Sequence, residues 1–389
     1  MQNTFARESV LKNVLRFSLP YLLSYFLQTL YGMADLLIIG QFDGVAGTTA
    51  VSIGSQVMHM VTVMLVGLAM GITVGIGHAV GAGENRRAGS TIGNGAVLFL
   101  VLSAALAALL AGLVEPITAI MSTPAEAVAG TRAYLTICFI GIPCITAYNI
   151  IAAIYRGLGD SKSPMYFIAV ACAANIVLDL VFMGALGTTL SQAISVVVSL
   201  AAILKRGLTD AAAVGVVEKF ISFVFLVPSS MLSTVSALGA QEVGAGRHDR
   251  ASATLRYGIG ITLGFGAVAA VLVQFIAPNV VGLFTADAAV IAAGAWYLRG
   301  YIFDCFFAGV HFSFSGYFCA YGRSELSFIH NILSIVLVRV PGAYLTSKLF
   351  PDNLLPMGLA TACGSLLSVI VCLVMYTVLK RKGSFGGKG

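Results

Sequence analysis

Charged residues are scarce in this chain. Asp, Glu, Lys and Arg make up 10% of its 389 residues, against about 25% in an ordinary soluble domain. That scarcity excludes a water-soluble globule. Cysteine occurs seven times but never as a CxxC pair, and every position falls in an apolar stretch. The spacing gives no zinc or dithiol motif, so the cysteines read as small packing residues. There is no GxxxxGK[ST] loop, no HExxH and no GxSxG. The chain therefore carries no motif for ATP hydrolysis or for the common hydrolase chemistries, and neither catalytic residues nor an enzyme are expected. Gly75-Ile76-Gly77, followed by Gly81 and Gly83, misses the dinucleotide spacing and reads as packing and turn. The five histidines are scattered; His59 and His311 lie in apolar runs and read as satisfied hydrogen-bonding groups. The first apolar helix follows Arg7, Lys12 and Arg16 but carries an acid and no small-residue cleavage site, unlike a removable signal.

What is present is apolar length. Hydrophobic residues make up 58% of the chain, and the mean hydropathy is +0.95. The apolar runs are long enough to cross a hydrocarbon layer of about 30 Å, which makes this an all-α integral membrane protein. The pattern predicts helices over 14–40, 50–77, 91–113, 130–154, 164–184 and 187–205. A second set follows over 212–239, 254–277, 291–318, 327–349 and 356–379. Glycine, at 43 residues, suits helices packed closely in lipid. The net charge of +6 does not suggest nucleic acid, because the bases sit at helix ends.

The chain also repeats itself at an offset of 163 residues. Val80-Gly81-Ala82-Gly83 recurs as Val243-Gly244-Ala245-Gly246. Arg87, Thr91, Gly95, Tyr134, Gly159 and Ser161 recur as Arg250, Thr254, Gly258, Tyr297, Gly322 and Ser324. Duplicated helix bundles are a common architecture of secondary transporters, because two lobes can rock about a site between them. The expected domains are an N-lobe over 1–207, a C-lobe over 208–380 and a tail over 381–389, which is basic, Gly-rich and reads as disordered.

Loop charge predicts orientation, since cytoplasmic loops hold the excess of Lys and Arg. Of 22 such residues, 17 fall at the N-terminus, in every second loop or in the tail, so both termini are expected to be cytoplasmic. A parity problem follows. Lys205-Arg206 and the loop after Gly246 both read as inside, yet only the helix at 212–239 separates them. Either a crossing is missing from the start of the second half, or 187–205 does not cross; the paired bases favour the missing helix.

Acids within the apolar runs are costly, roughly 2.5–3.5 kcal/mol at mid-depth, and usually face a cavity or a partner. Asp35 lies late in the first run. Asn175 and Asp179 lie one helical turn apart in the fifth. A carboxylate with an amide oxygen beside it suits Na⁺, which takes several oxygens, and a buried carboxylate can equally carry a proton. The competing reading is an acid satisfied by hydroxyls or by an arginine. At the offset of 163, Asn175 and Asp179 meet Val338 and Gly342, so the second copy lacks that pair. Its own candidate acid is Asp304, opposite Gly141. Arg339 reads as the neutraliser of an acid, or as a donor to carbonyls freed by Pro341. Pro20 is the candidate bend of the first helix. Tyr31, Tyr148 and Tyr155 are candidates to line a cavity for flat cations, or to serve as interfacial anchors.

Together these residues resemble the multidrug and toxic compound extrusion (MATE) transporters, particularly the prokaryotic branches. The resemblance rests on Pro20 to Asp35, Val80-Gly81-Ala82-Gly83 with Arg87, and Arg156-Gly157-Leu158-Gly159-Asp160. Asn175-x-x-x-Asp179 and Thr188-x-x-Ser191-Gln192 complete it. It implies two pseudo-symmetric bundles with twelve helices in the family, of which about eleven are visible here; helix seven is the one missing. It further implies a monomer in the cell (inner) membrane that exports organic cations or drugs in exchange for Na⁺ or H⁺, with no other cofactor. Carried over by position, Asp35, Asn175, Asp179 and Thr188 form the cation-coupling site, with Na⁺ at the first three. Two alternatives are a flippase for lipid-linked saccharides, which needs a basic cavity, and a shortened membrane protein inactive in transport. The intramembrane bases available to such a cavity are Arg132, Lys219, Arg299 and Arg339.

Overall fold

A computed structural model describes residues 9–42, 44–121, 123, 126–183, 208–285, 287–350 and 353–385. Every regular element among them is helical. The first copy gives α1 (Val10–Phe42), α2 (Gly44–Gly81), α3 (Asn85–Gly112), the short α4 (Val114–Ile120), α5 (Val128–Ile140), α6 (Ile142–Gly157) and α7 (Lys162–Met183). The second gives α8 (Leu208–Val224), α9 (Leu226–Gly244), α10 (His248–Gly282), α11 (Ala288–Ala320), α12 (Ser324–Ser334), a π-helical turn (Ile335–Arg339), α13 (Val340–Leu349) and α14 (Leu355–Arg381). Seven of the described helical rods are long and apolar enough to cross a membrane, and the bent α5–α6 pair makes an eighth. This is a multi-pass membrane protein. The expected helix over 187–205 lies outside the described residues.

Three expected helices are interrupted. The run 130–154 breaks at Gly141, where α5 and α6 meet at 49°. Pro143 stands in the first turn of α6, where its missing N–H costs nothing. The run 212–239 breaks at Phe225, three residues before Pro228. The run 327–349 carries the π turn just ahead of Pro341, which offers no N–H to the preceding turn.

By packing, the described residues divide into two compact units. One draws on 27–76 and 85–205, the other on 1–26, 77–84 and 206–389. In the first unit Val57, Met58, Leu65, Leu135, Phe139 and Ile142 form a core. Helix α3 shows why it faces that way: Ala88, Gly95, Phe99 and Ser103 are buried on one stripe, while Val97, Leu98, Leu100 and Val101 are exposed, as lipid contact requires. In the second unit α11 is the most enclosed span, with α9, α10 and α14 packed against it. The N-terminal part of α1 belongs here too: Val14, Phe17 and Tyr21 pack on Met231, Ala237 and Leu238, and the Tyr25 hydroxyl lies 2.9 Å from Ser233 Oγ.

Within this second unit the end of α2 crosses α9 on a glycine seam. A methyl group at Gly81 would collide with the backbone of Gln241, and one at Gly244 with the backbone of His78. At the offset of 163, Gly81 and His78 are the counterparts of Gly244 and Gln241. Each contact is therefore the image of the other. Gly77 meets Ala240, its own counterpart. The crossing has the self-complementary form of a twofold interface, made by the two Val-Gly-Ala-Gly motifs. His78 Nε2 lies 2.6 Å from the Ala320 carbonyl oxygen and ties α2 to the end of α11.

The tail corrects an expectation. Residues 382–385 form a turn, and Phe385 is buried against Tyr317, Tyr321 and Tyr376 at ring distances of 5.3, 4.9 and 5.7 Å. Tyr321 donates its hydroxyl to the Phe385 carbonyl at 3.3 Å.

Candidate functional site

Among the described residues, buried charge concentrates around α11. Asp304 sits at mid-helix and is 0% exposed. A carboxylate there must be matched, because removing it from water is opposed by several kcal/mol. The match comes from the π turn. Arg339 Nη2 donates to Asp304 Oδ1 at 3.0 Å and to Oδ2 at 3.2 Å. It also donates to Ser365 Oγ on α14 at 2.6 Å. Arg339 reaches that position across Gly364, where any Cβ would strike its side chain. The reading of Arg339 as a neutraliser of an acid is the one the geometry supports.

Polar contacts extend from this pair through the same bundle. His311 Nε2 lies 3.3 Å from Ser365 Oγ. Ser365 stands between Asp304 and Arg339: it accepts from Arg339 and its hydroxyl also hydrogen-bonds the Asp304 carboxylate. The His311 and His330 rings stand 5.4 Å apart, and His330 Nε2 lies 2.8 Å from Ser315 Oγ. Ser334 and Ser368 pin α12 and α14 together by donating to the carbonyls of Gly364 and His330 at 2.6 and 3.1 Å. The ring Nδ1 atoms of both histidines are buried with no partner. Sequence reasoning named Asp304, Arg339 and His311 separately. It missed Ser365 and His330, which carry no signal beyond being a polar residue in an apolar run.

The other predicted site residues fall elsewhere. Asp35 and Tyr31 lie in α1, and Asn175 and Asp179 lie one turn apart in α7; their side chains are outside the described part, as is Thr188 altogether. Pro20 lies inside α1, and its carbonyl accepts from Ser24 Oγ at 2.8 Å, an extra donor beside a position that supplies none of its own. Tyr148 is half-buried on α6, and its counterpart at the offset is His311.

Outside the spans, Asp160 caps α7. Its Oδ1 accepts from the backbone N–H of Lys162 and Ser163 at 2.8 and 3.1 Å, and its Oδ2 from Ser163 Oγ at 2.6 Å. Partial burial opposes ionisation, but these donors and the nearby Lys162 charge outweigh it and hold the carboxyl below its ordinary value. At the second Val-Gly-Ala-Gly turn, buried Glu242 is paired with Arg247 at 2.7 Å and with Arg250 at 3.0 Å.

A family model described as MatE matches residues 20–181 and again 183–345. The second match opens 163 residues after the first, at the offset of the repeat. The Bacillus subtilis (strain 168) protein YpnP, named a probable multidrug resistance protein, is 26% identical over 393 residues, covering 87% of this chain and 88% of its own. A FAD transporter of Shewanella oneidensis is 22% identical and covered over 92% of both chains. The solved outward-facing structure of a multidrug resistance MATE family transporter of the MOP superfamily superposes with a TM-score of 0.83. It is 19% identical, with 96% of this chain and 98% of that one covered; at that identity the likeness speaks for the fold.

Proposed function

The chain belongs to the MatE family of membrane transporters, and from that premise we propose that it is a secondary antiporter exporting organic cations in exchange for Na⁺ or H⁺. Coupling is assigned to the first copy, at Asp35, Asn175 and Asp179, with Thr188 as a further ligand. The observation that carries this assignment is the asymmetry of the acids. Asp304 already holds a guanidinium. In the first copy the counterpart of Arg339 is Ile176, so α7 brings Asp179 and Asn175 with no arginine at that place. Acids without a built-in counter-charge are the ones that can take a cation from solution.

In this mechanism a cation entering at Asp35 and Asp179 favours one state of the protein and the organic cation favours the other, which is the condition for exchange. Pro20 allows α1 to bend as Asp35 changes state. The protein works as a monomer in the cell membrane, with lobes over 1–207 and 208–380. The excess of Lys and Arg at both termini and at both Val-Gly-Ala-Gly turns supports a cytoplasmic position for them. A saccharide-lipid flippase is less well supported, because three of its four bases are engaged. Arg339 is on Asp304, Arg132 on Glu115 at 3.1 Å, and Arg299 on the Gln274 carbonyl at 3.2 Å and over the Trp296 ring.

Dye efflux from proteoliposomes under separate Na⁺ and pH gradients tests the reading. Asp35→Asn and Asp179→Asn are each expected to lower gradient-driven efflux of an organic cation dye at least tenfold. Parent-rate export by both variants would rule the mechanism out.

A further inference from the structure

We propose that the C-terminal turn is a strap: by seating Phe385 in an aromatic slot, it fixes the last turn of α11 as the stop on which the end of α2 is held. The turn is written into the sequence. Helix α14 ends at Arg381, and Gly383 takes the left-handed conformation at φ +72°, which glycine adopts without strain. Gly383 N–H then donates to the Lys380 carbonyl at 3.1 Å, and Ser384 N–H to the Leu379 carbonyl at 3.0 Å. That pair of bonds closes a helix and turns the chain back on it. Residues 380–384 are exposed, and Phe385 alone turns inward, 5% exposed.

The slot is specific for a flat ring. Phe385 lies close to parallel with Phe318 and Tyr376, at 18° and 21°, and edge-on to Tyr317 and Tyr321, at 65° and 68°. Both arrangements are favourable for aromatic pairs. The Tyr321 hydroxyl proton goes to the Phe385 carbonyl, so its oxygen accepts from His248 Nδ1 at 3.0 Å. The Tyr317 hydroxyl meets Ser252 Oγ at 3.2 Å. The tail and α10 thus converge on two tyrosines one turn apart on α11. At the offset of 163 those tyrosines correspond to Ile154 and Leu158, so the first copy has no such slot.

What the strap holds is the acceptor for α2. The last carbonyls of a helix find no partner inside it. Ala320 is the last residue of α11, and its carbonyl takes His78 Nε2 at 2.6 Å. The backbone of His78 is also the wall against which Gly244 fits. One residue therefore faces both ways, with its side chain on the strapped turn and its backbone in the glycine seam. A helix end left loose frays, and fraying of α11 would carry the Ala320 carbonyl away from His78. The inference goes beyond the exchange reaction and does not depend on it, since no coupling residue takes part.

Hydrogen–deuterium exchange of the full chain in detergent tests the strap without transport. Phe385→Ala is expected to speed exchange over 77–84 and 316–323 by at least about fivefold, while 288–300, at the far end of α11, keeps the parent rate. An unchanged rate over 77–84 overturns the proposal, and so does an equal rise over 288–300, which would mean general loosening. In a His78→Ala background, Phe385→Ala is expected to speed 316–323 but to add nothing over 77–84. A further rise there of the same size overturns the route through His78. If Phe385→Ala does not fold, Tyr321→Phe decides, because it keeps the ring and removes the hydroxyl. Faster exchange over both segments supports the strap, and the parent rate over 77–84 overturns it.

Discussion

The two copies of the repeat solve the same position in opposite ways. In the first copy residue 141 is glycine and the span breaks there, with α5 and α6 meeting at 49°. In the second copy the same position is Asp304, and α11 runs unbroken from Ala288 to Ala320. One span spends the position on backbone freedom, the other on a buried charge. The asymmetry continues around it. At the offset of 163, Asn175 and Asp179 correspond to Val338 and Gly342, Ile176 to Arg339, and Tyr148 to His311. In the second copy Asp304 is neutralised by Arg339 and bound into a polar network. The first carries Asp179 on α7, which has Ile176 where the second has Arg339. The lesson is that duplication preserved the helical frame while the charged positions on it diverged.

That contrast can be broken directly. Asp304→Asn leaves the Arg339 guanidinium without its carboxylate and is expected to cost about 3–5 kcal/mol of unfolding free energy, read by denaturant titration in detergent. A loss under about 1 kcal/mol would mean that the second copy does not depend on its ion pair. The glycine seam tests the opposite property, the symmetry that survived. Gly81→Ala and Gly244→Ala each drive a methyl group into backbone that cannot turn aside, and each is expected to cost about 1–3 kcal/mol. The two losses are expected to agree closely; a large difference would show that only one side of the crossing is tight. The smallest effect lies at Asp160, whose counterpart in the second copy is Arg323. Asp160→Ala is expected to cost about 1 kcal/mol through the lost helix cap. Because the folded carboxyl lies below its ordinary value of 3.8, its contribution is full at neutral pH. It declines as pH drops below that value and is lost as pH falls through the folded pKa. A wild-type advantage that persists unchanged at the acid end would contradict the cap.

Much of the frame was readable from the amino acids. Apolar runs located every described span, and the offset of 163 located the copies, because a membrane demands long apolar helices and a duplication keeps their spacing. The breaks were not readable. Glycine is ordinary in membrane helices, so Gly141 gave no warning of a 49° bend; Pro341 signalled freed carbonyls but not that a π turn would form ahead of it. The Asp304–Arg339 pair was visible only as two separate charges, 35 residues apart, since sequence alone does not show which helices touch. Phe385 was missed because a single aromatic in a Gly-rich run looks like solvent.

The seam between α2 and α9 has a consequence for how this chain can vary. Gly81 fits against Gln241, Gly244 against His78, and Gly77 against its own image at Ala240. Halves of a duplicated gene are ordinarily free to drift apart once fused. Here they are not, because each copy forms the wall against which the other is cut. Bulk gained at residue 81 has to be given up around residue 241, so at this crossing the two halves remain a single unit of inheritance.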